Sequence, residues 1–204
     1  LKNQVTKGDF VVTQLLKVDE KNRVLYFNAN GREQGRDPYF SHFYRINFDG
    51  SKLQLLTPED GNHNVLLSPD GKYFVDNYSK PNVPPISVVR DMNGKLISTL
   101  EKADISALIA SGWKAPEPIT VKSADGKWDL YGLMFTPSNL DKTKKYPIVN
   151  YIYPGPQGGG VGSRSFSAAR NDHQAVADLG FIVVVIDGAC NPDRSKSFHD
   201  ACYG

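Results

Sequence analysis

The chain has 204 residues, 40% of them apolar, with 24 Lys and Arg against 22 Asp and Glu. That length allows one large or two small domains, and that composition belongs to a folded globular protein, not a disordered one. A formal net charge of +2 is too small to argue for nucleic acid or an anionic membrane as partner, and no apolar run is long enough to form a membrane segment.

Residues 10–100 alternate short β-rich runs with turn residues. Residues 10–18 (FVVTQLLKV), 23–28 (RVLYFN), 42–48 (HFYRINF) and 52–56 (KLQLL) read as four strands, the last two joined by Asp49-Gly50, a tight-hairpin dipeptide. The cycle restarts with 64–67 (NVLL), Ser68-Pro69-Asp70-Gly71, 72–77 (KYFVDN), a proline-rich turn, 86–91 (ISVVRD), Met92-Asn93-Gly94 and 95–100 (KLISTL). Two sets of four strands with matching turns, at a period of about 45–50 residues, predict two blades of a β-propeller. A plain antiparallel sandwich is the alternative. Two blades do not close a ring of four to eight, so further blades are expected before Leu1.

Residues 101–112 (EKADISALIASG) have helical spacing, with Ile105, Leu108 and Ile109 on one side. WKAPEP (113–118) reads as an extended linker, since proline lacks an N–H donor and biases its neighbours away from helix. This gives the expected division: residues 1–115 as the last two blades of a propeller, and 116–204 as the first part of an α/β domain.

In the second part, residues 119–121 and 128–135 flank a hairpin signal at Ala124-Asp125-Gly126. Then comes the stretch 146–188: YPIVNYIYPGP, a glycine-rich loop, a helical segment over 167–179 with Ser165 or Ser167 as N-cap, and FIVVVIDG. Strand, loop, helix, strand is the βαβ unit of a parallel sheet, and both apolar runs predict strands buried on two faces. The loop leaves the carboxyl end of the first strand, the edge where α/β sheets bind ligands. It lacks both Gly-Lys-Ser/Thr and the spacing Gly-x-Gly-x-x-Gly, which excludes a P-loop and a dinucleotide fingerprint.

Cys190 and Cys202, twelve apart with no paired histidines nearby, do not form a zinc pattern, and unpaired thiols are the expectation. A disulfide requires the fold to bring their Cα atoms together. The four histidines, His42, His63, His173 and His199, are scattered and read as surface or structural residues. Asp187, at a strand end, reads as the cap of its turn.

The order KYPIVNYIYPGP, a helix with ADLGF, VVVIDG and RSKSFHDACYG resembles the prolyl oligopeptidase family of serine peptidases, specifically its dipeptidyl peptidase IV-like branch. The resemblance is most specific over 146–204 and looser over the blades. It implies β-propeller blades followed by the N-terminal part of an α/β-hydrolase domain. It also implies a parent enzyme that hydrolyses short peptides, often after proline, through an acyl-enzyme. No cofactor and no metal are implied; the implied partner is a peptide substrate, with a homodimer of the parent and a periplasmic or extracytoplasmic setting as further expectations. Another acyl hydrolase, such as an acylaminoacyl peptidase, and a propeller-based binding module with a degenerate hydrolase are the alternatives.

Within that family the tyrosine ending the first strand donates its hydroxyl to the oxyanion, which assigns Tyr153 that role. On pattern alone Tyr153 is a strand-end tyrosine whose ring packs. No Gly-x-Ser-x-Gly occurs in the sequence, so serine, acid and base are expected beyond Gly204 and the chain alone is expected to be inactive. Two departures stand out: Ala189-Cys190 replaces the Arg-Gly common after Asp-Gly, and Pro154 stands where a small residue is common.

Overall fold

Alternation along β2 shows how the first half is assembled. In the computed structural model, which describes residues 3–153, 155 and 157–202, β2 (Val24–Asn30) pairs with β1 (Val11–Asp19) on one side and β3 (His42–Asn47) on the other, and β4 (Gln54–Leu55) completes an antiparallel sheet. Val24 and Tyr26 point to one face, Phe27 and Ala29 to the other, following the period of two. A second sheet repeats the order with β5 (Asn62–Leu67), β6 (Tyr73–Lys80), β7 (Val83–Asp91) and β8 (Leu96–Lys102).

The two sheets face each other across Val24, Tyr26, Phe43, Leu56, Val65 and Phe74, with Phe43 edge-on to Phe74 at 5.1 Å. Matching turns close the hairpins: Gly71 N–H donates to the Ser68 carbonyl and Gly94 N–H to the Asp91 carbonyl, both at 2.9 Å. Gly94 has φ +84°, and a Cβ there would stand 2.9 Å from the Leu56 carbonyl oxygen of the other sheet. Only glycine meets both demands.

The third sheet has the order β11-β12-β10-β9, with β9 (Glu117–Lys122), β10 (Asp129–Phe135), β11 (Ile148–Tyr151) and β12 (Ile182–Ile186). β11 and β12 are parallel and joined through α2 (His173–Asp178), the predicted βαβ unit. The core beneath them is Leu133, Phe135, Val161, Ala177, Val183 and Val185. The fold class is therefore the expected one, propeller blades followed by an α/β unit. Among the described residues no helix is long and apolar enough to cross a membrane.

Several local expectations change. The helix predicted over 101–112 shrinks to α1 (Ser106–Ala110), because Glu101 and Lys102 extend β8 against Ser87 and Ile86. β7 starts at Val83 and includes Pro84 and Pro85, where the register against β6 shifts between Tyr78 and Lys80. Such an irregularity leaves room for residues without an N–H. α2 begins after Asp172 and not at Ser165 or Ser167; Ser167 Oγ instead donates to the Ala169 carbonyl at 2.6 Å. β12 alternates buried and half-buried residues, whereas β11 is an edge strand with Ile148 67% exposed, so its apolar run is not buried on two faces. Pro154 and Pro156 lie outside the described residues.

Cys190 and Cys202 form a disulfide with Cα atoms 5.8 Å apart, which corrects the expectation of free thiols. Twelve residues of spacing did not show that α3 (Lys196–Asp200) turns the chain back on itself.

Candidate functional site

Tyr151 pairs with Val185 in the parallel register, so Tyr153 and Asp187 emerge two residues further on, from the same edge of the sheet. Tyr153 is half-exposed, whereas Asp187 is buried. Between them runs the glycine-rich loop. A Cβ added at Gly158 would stand 3.7 Å from Tyr153 Cε1, and one at Gly160 the same distance from Tyr153 Cβ. One added at Gly159 would stand 2.2 Å from Asp187 Oδ1 and 2.7 Å from Asn191 Nδ2, so only glycine fits that position.

Asp187 anchors this loop. Its Oδ1 accepts the Val161 N–H at 3.1 Å, and its Oδ2 accepts Arg164 Nη2 at 2.7 Å. Arg164, 3% exposed, also donates from Nη1 to the Gly162 carbonyl and from Nε to Asp37 Oδ2, both at 3.1 Å. Its guanidinium lies 4.5 Å from the Tyr39 ring centroid. Burial pushes the Tyr39 phenol well above its ordinary range, and the Asp187 charge adds to that push while Arg164 opposes it. Arg170 holds the loop from its other side, donating to the Ser163 carbonyl at 2.8 Å and to the Ser165 carbonyl. Asp187 is thus a buried ion-pair partner, which corrects its reading as a turn cap. Arg164 was not anticipated, since nothing in GVGSRSF marks its partners 23 and 127 residues away.

Further polar contacts join the blades to this unit. Asn30 Nδ2 donates to the Asp193 carbonyl at 3.0 Å, Asn62 Nδ2 to Ser165 Oγ at 2.8 Å, and Phe166 N–H to Ser79 Oγ at 2.9 Å. Beside the loop, a cavity of about 320 Å³ is lined by Phe135, Val161, Ser163, Phe166, Arg170 and His173, among others. His173 packs against the Phe135 and Tyr151 rings at 5.2 and 4.8 Å, and burial holds its imidazole below the ordinary value.

A second cluster lies between the strands of the second blade. His63 Nδ1 is 2.9 Å from Asp76 Oδ1, and its Nε2 is 3.0 Å from the Glu59 carbonyl. One ligand atom from each of Glu59, His63 and Asp76 lies within 4.8 Å of the others. Arg90 pairs with Glu59 and stands 3.5 Å from Asp76 Oδ2, so a guanidinium already supplies the positive charge these carboxylates face. His42, His63 and His173 are buried, hence structural and not surface residues.

A family model described as the dipeptidyl peptidase IV N-terminal region matches residues 1–85. A protein of Tuber melanosporum named "Probable dipeptidyl-aminopeptidase B" is 33% identical over 192 residues, which are 90% of this chain and 20% of that protein. Human dipeptidyl peptidase 8 is 27% identical over 209 residues, 97% of this chain and 23% of its own. The crystal structure of Porphyromonas gingivalis dipeptidyl peptidase 4 superposes with a TM-score of 0.77 at 23% identity, covering all of this chain and 28% of that one. Over nearly its whole length the chain is similar to a segment of dipeptidyl peptidase IV-like proteins.

The chain spans about a fifth of the length of the curated relatives it matches. At Ala189-Cys190, where the resemblance leads one to expect Arg-Gly, Cys190 is the buried half of the disulfide. The sequence reading ends the first strand at Tyr153, whereas β11 ends at Tyr151 and Tyr153 lies two residues beyond it, near Gly158 and Gly160.

Proposed function

We propose that this chain is part of a serine peptidase that hydrolyses short peptides, as a dipeptidyl or oligopeptidase acting near proline, through an acyl-enzyme. In this reading residues 1–115 are the last two blades of its propeller and 116–204 the start of its hydrolase domain. Serine, base and acid lie beyond Gly204, so the chain alone is inactive. The observation that carries the reading is the half-exposed Tyr153 at the carboxyl edge of the parallel strand pair, beside the glycine-rich loop, in a chain whose relatives are named dipeptidyl peptidases.

The chemistry follows from where negative charge develops. When a serine attacks a peptide carbonyl, its oxygen becomes an oxyanion, and a donor already aimed there stabilises the transition state more than the ground state. The Tyr153 phenol is such a donor on a short, stiff side chain. It takes no part in proton transfer to the serine or the leaving amine. In the complete enzyme that contains this chain, Tyr153→Phe lowers kcat about 10²- to 10³-fold with KM little changed. Steady-state kinetics on a proline-containing chromogenic dipeptide check this. A change confined to KM, or none, removes Tyr153 from the mechanism.

A further inference from the structure

Two buried charges lie behind Tyr153, and the oxyanion chemistry leaves both unused. Resting on the reading of Tyr153 as oxyanion donor, we infer that Arg164 is a positioning residue for that hydroxyl, holding the glycine-rich loop against the Tyr153 ring by way of Asp187. The chain of contacts is short. Arg164 Nη2 donates to Asp187 Oδ2 at 2.7 Å; Asp187 Oδ1 accepts the Val161 N–H at 3.1 Å; and the strip from Gly158 to Gly160, immediately before Val161, lies against Tyr153. Arg164 closes the loop on itself through the Gly162 carbonyl, 3.1 Å away. Its third bond, to Asp37 Oδ2 at 3.1 Å, ties this assembly to the segment between β2 and β3 of the first blade.

A guanidinium suits this task because its planar fork serves three acceptors at once in fixed directions, which a lysine ammonium does not reproduce. Both carboxylates depend on it. Without Arg164, the buried Asp187 keeps one backbone donor for its two oxygens and is driven to recruit water or turn away. Either movement shifts the loop at Gly158 and Gly160, which run close enough to Tyr153 that an added Cβ would touch it. Misplacing a catalytic group by about 1 Å costs on the order of 10²-fold in rate, so a residue that never touches substrate controls turnover.

The test uses the complete enzyme with Arg164→Ala and Arg164→Lys, each also in a Tyr153→Phe background, on a proline-containing chromogenic dipeptide. Arg164→Ala is expected to lower kcat about 10- to 100-fold with KM nearly constant, and Arg164→Lys to lose less. In the Tyr153→Phe background the same change is expected to cost less than about two-fold, since the donor it positions is gone. Equal losses in both backgrounds, a loss confined to KM, or no loss overturns the inference. Hydrogen exchange of the Val161 amide supplies a readout independent of turnover, and Arg164→Lys serves it if the alanine variant does not fold. Faster exchange at Val161 with an unchanged melting temperature is expected; unchanged protection overturns the inference. If the wild-type enzyme hydrolyses no peptide, the proposed function fails by itself, while Val161 exchange still decides whether Arg164 holds the loop.

Discussion

His42 and His63 meet where the two blades join, with ring centroids 4.9 Å apart and different partners. His42 Nδ1 is 3.1 Å from the Thr57 carbonyl, which only accepts, and Nε2 is 3.5 Å from Arg36 Nη1, which only donates. That pair of neighbours selects a neutral ring with its proton on Nδ1. Burial lowers the His42 pKa to about 4, with the neighbouring His63 and Arg36 adding and the Thr57 bond and Glu33 opposing. Because the folded value lies below the ordinary 6.5, the unfolded chain binds the extra proton first as pH falls. Stability is therefore full above about pH 6.5 and declines towards pH 4, by on the order of 3 kcal/mol from this one group. Urea midpoints measured across that window should show the decline in the wild type and a shallower one in His42→Asn. A wild-type midpoint that stays flat would rule this out.

At the scale of elements, the segment after β12 shows how a helix too short to persist alone is held in place. α3 has five residues. Its N-terminus is capped by Ser195 Oγ, which accepts the Phe198 N–H at 3.3 Å. Phe198 is fully buried, edge-on to Trp128 at 5.1 Å with the Arg194 guanidinium 4.3 Å from its ring centroid. The Cys190–Cys202 bond then closes the segment at both ends. Cross-linking residues about twelve apart removes loop-closure freedom from the unfolded chain, worth about 3 kcal/mol. Cys202→Ser should lower the unfolding free energy by that order, and the oxidised wild type should show no free thiol on alkylation and mass analysis. One reactive thiol per cysteine without reductant would contradict the pairing.

Across the whole molecule, two kinds of joint hold the sheets together. Blade meets blade through an apolar contact centred on Phe43, fully buried between Tyr26 and Phe74. Phe43→Ala removes a large ring that neighbours anchored in two sheets cannot move to replace, and should cost about 3–5 kcal/mol. A loss under about 1 kcal/mol in denaturant unfolding would mean that the blades repack. Blades meet the third sheet through polar side chains instead, with Asp37, Arg164 and Asp187 in line and Asn30, Asn62 and Ser79 beside them. Polar joints are directional, and this one orders the loop beside Tyr153.

What the sequence by itself determined is local. Alternating runs such as RVLYFN, turns such as Ser68-Pro69-Asp70-Gly71 and the order of strand, glycine-rich loop, helix and strand each depend on neighbours a few residues away, so blades and βαβ unit were legible. The start of α1 was not, because β8 pairing at Glu101 and Lys102 outweighs the weak preference of a short helix. Tertiary structure alone decided that Asp187 is an ion-pair partner, that Arg164 joins it to Asp37, and that Cys190 meets Cys202. A charge or a thiol carries no mark of its partner in the chain; the partner is chosen by how the sheets pack.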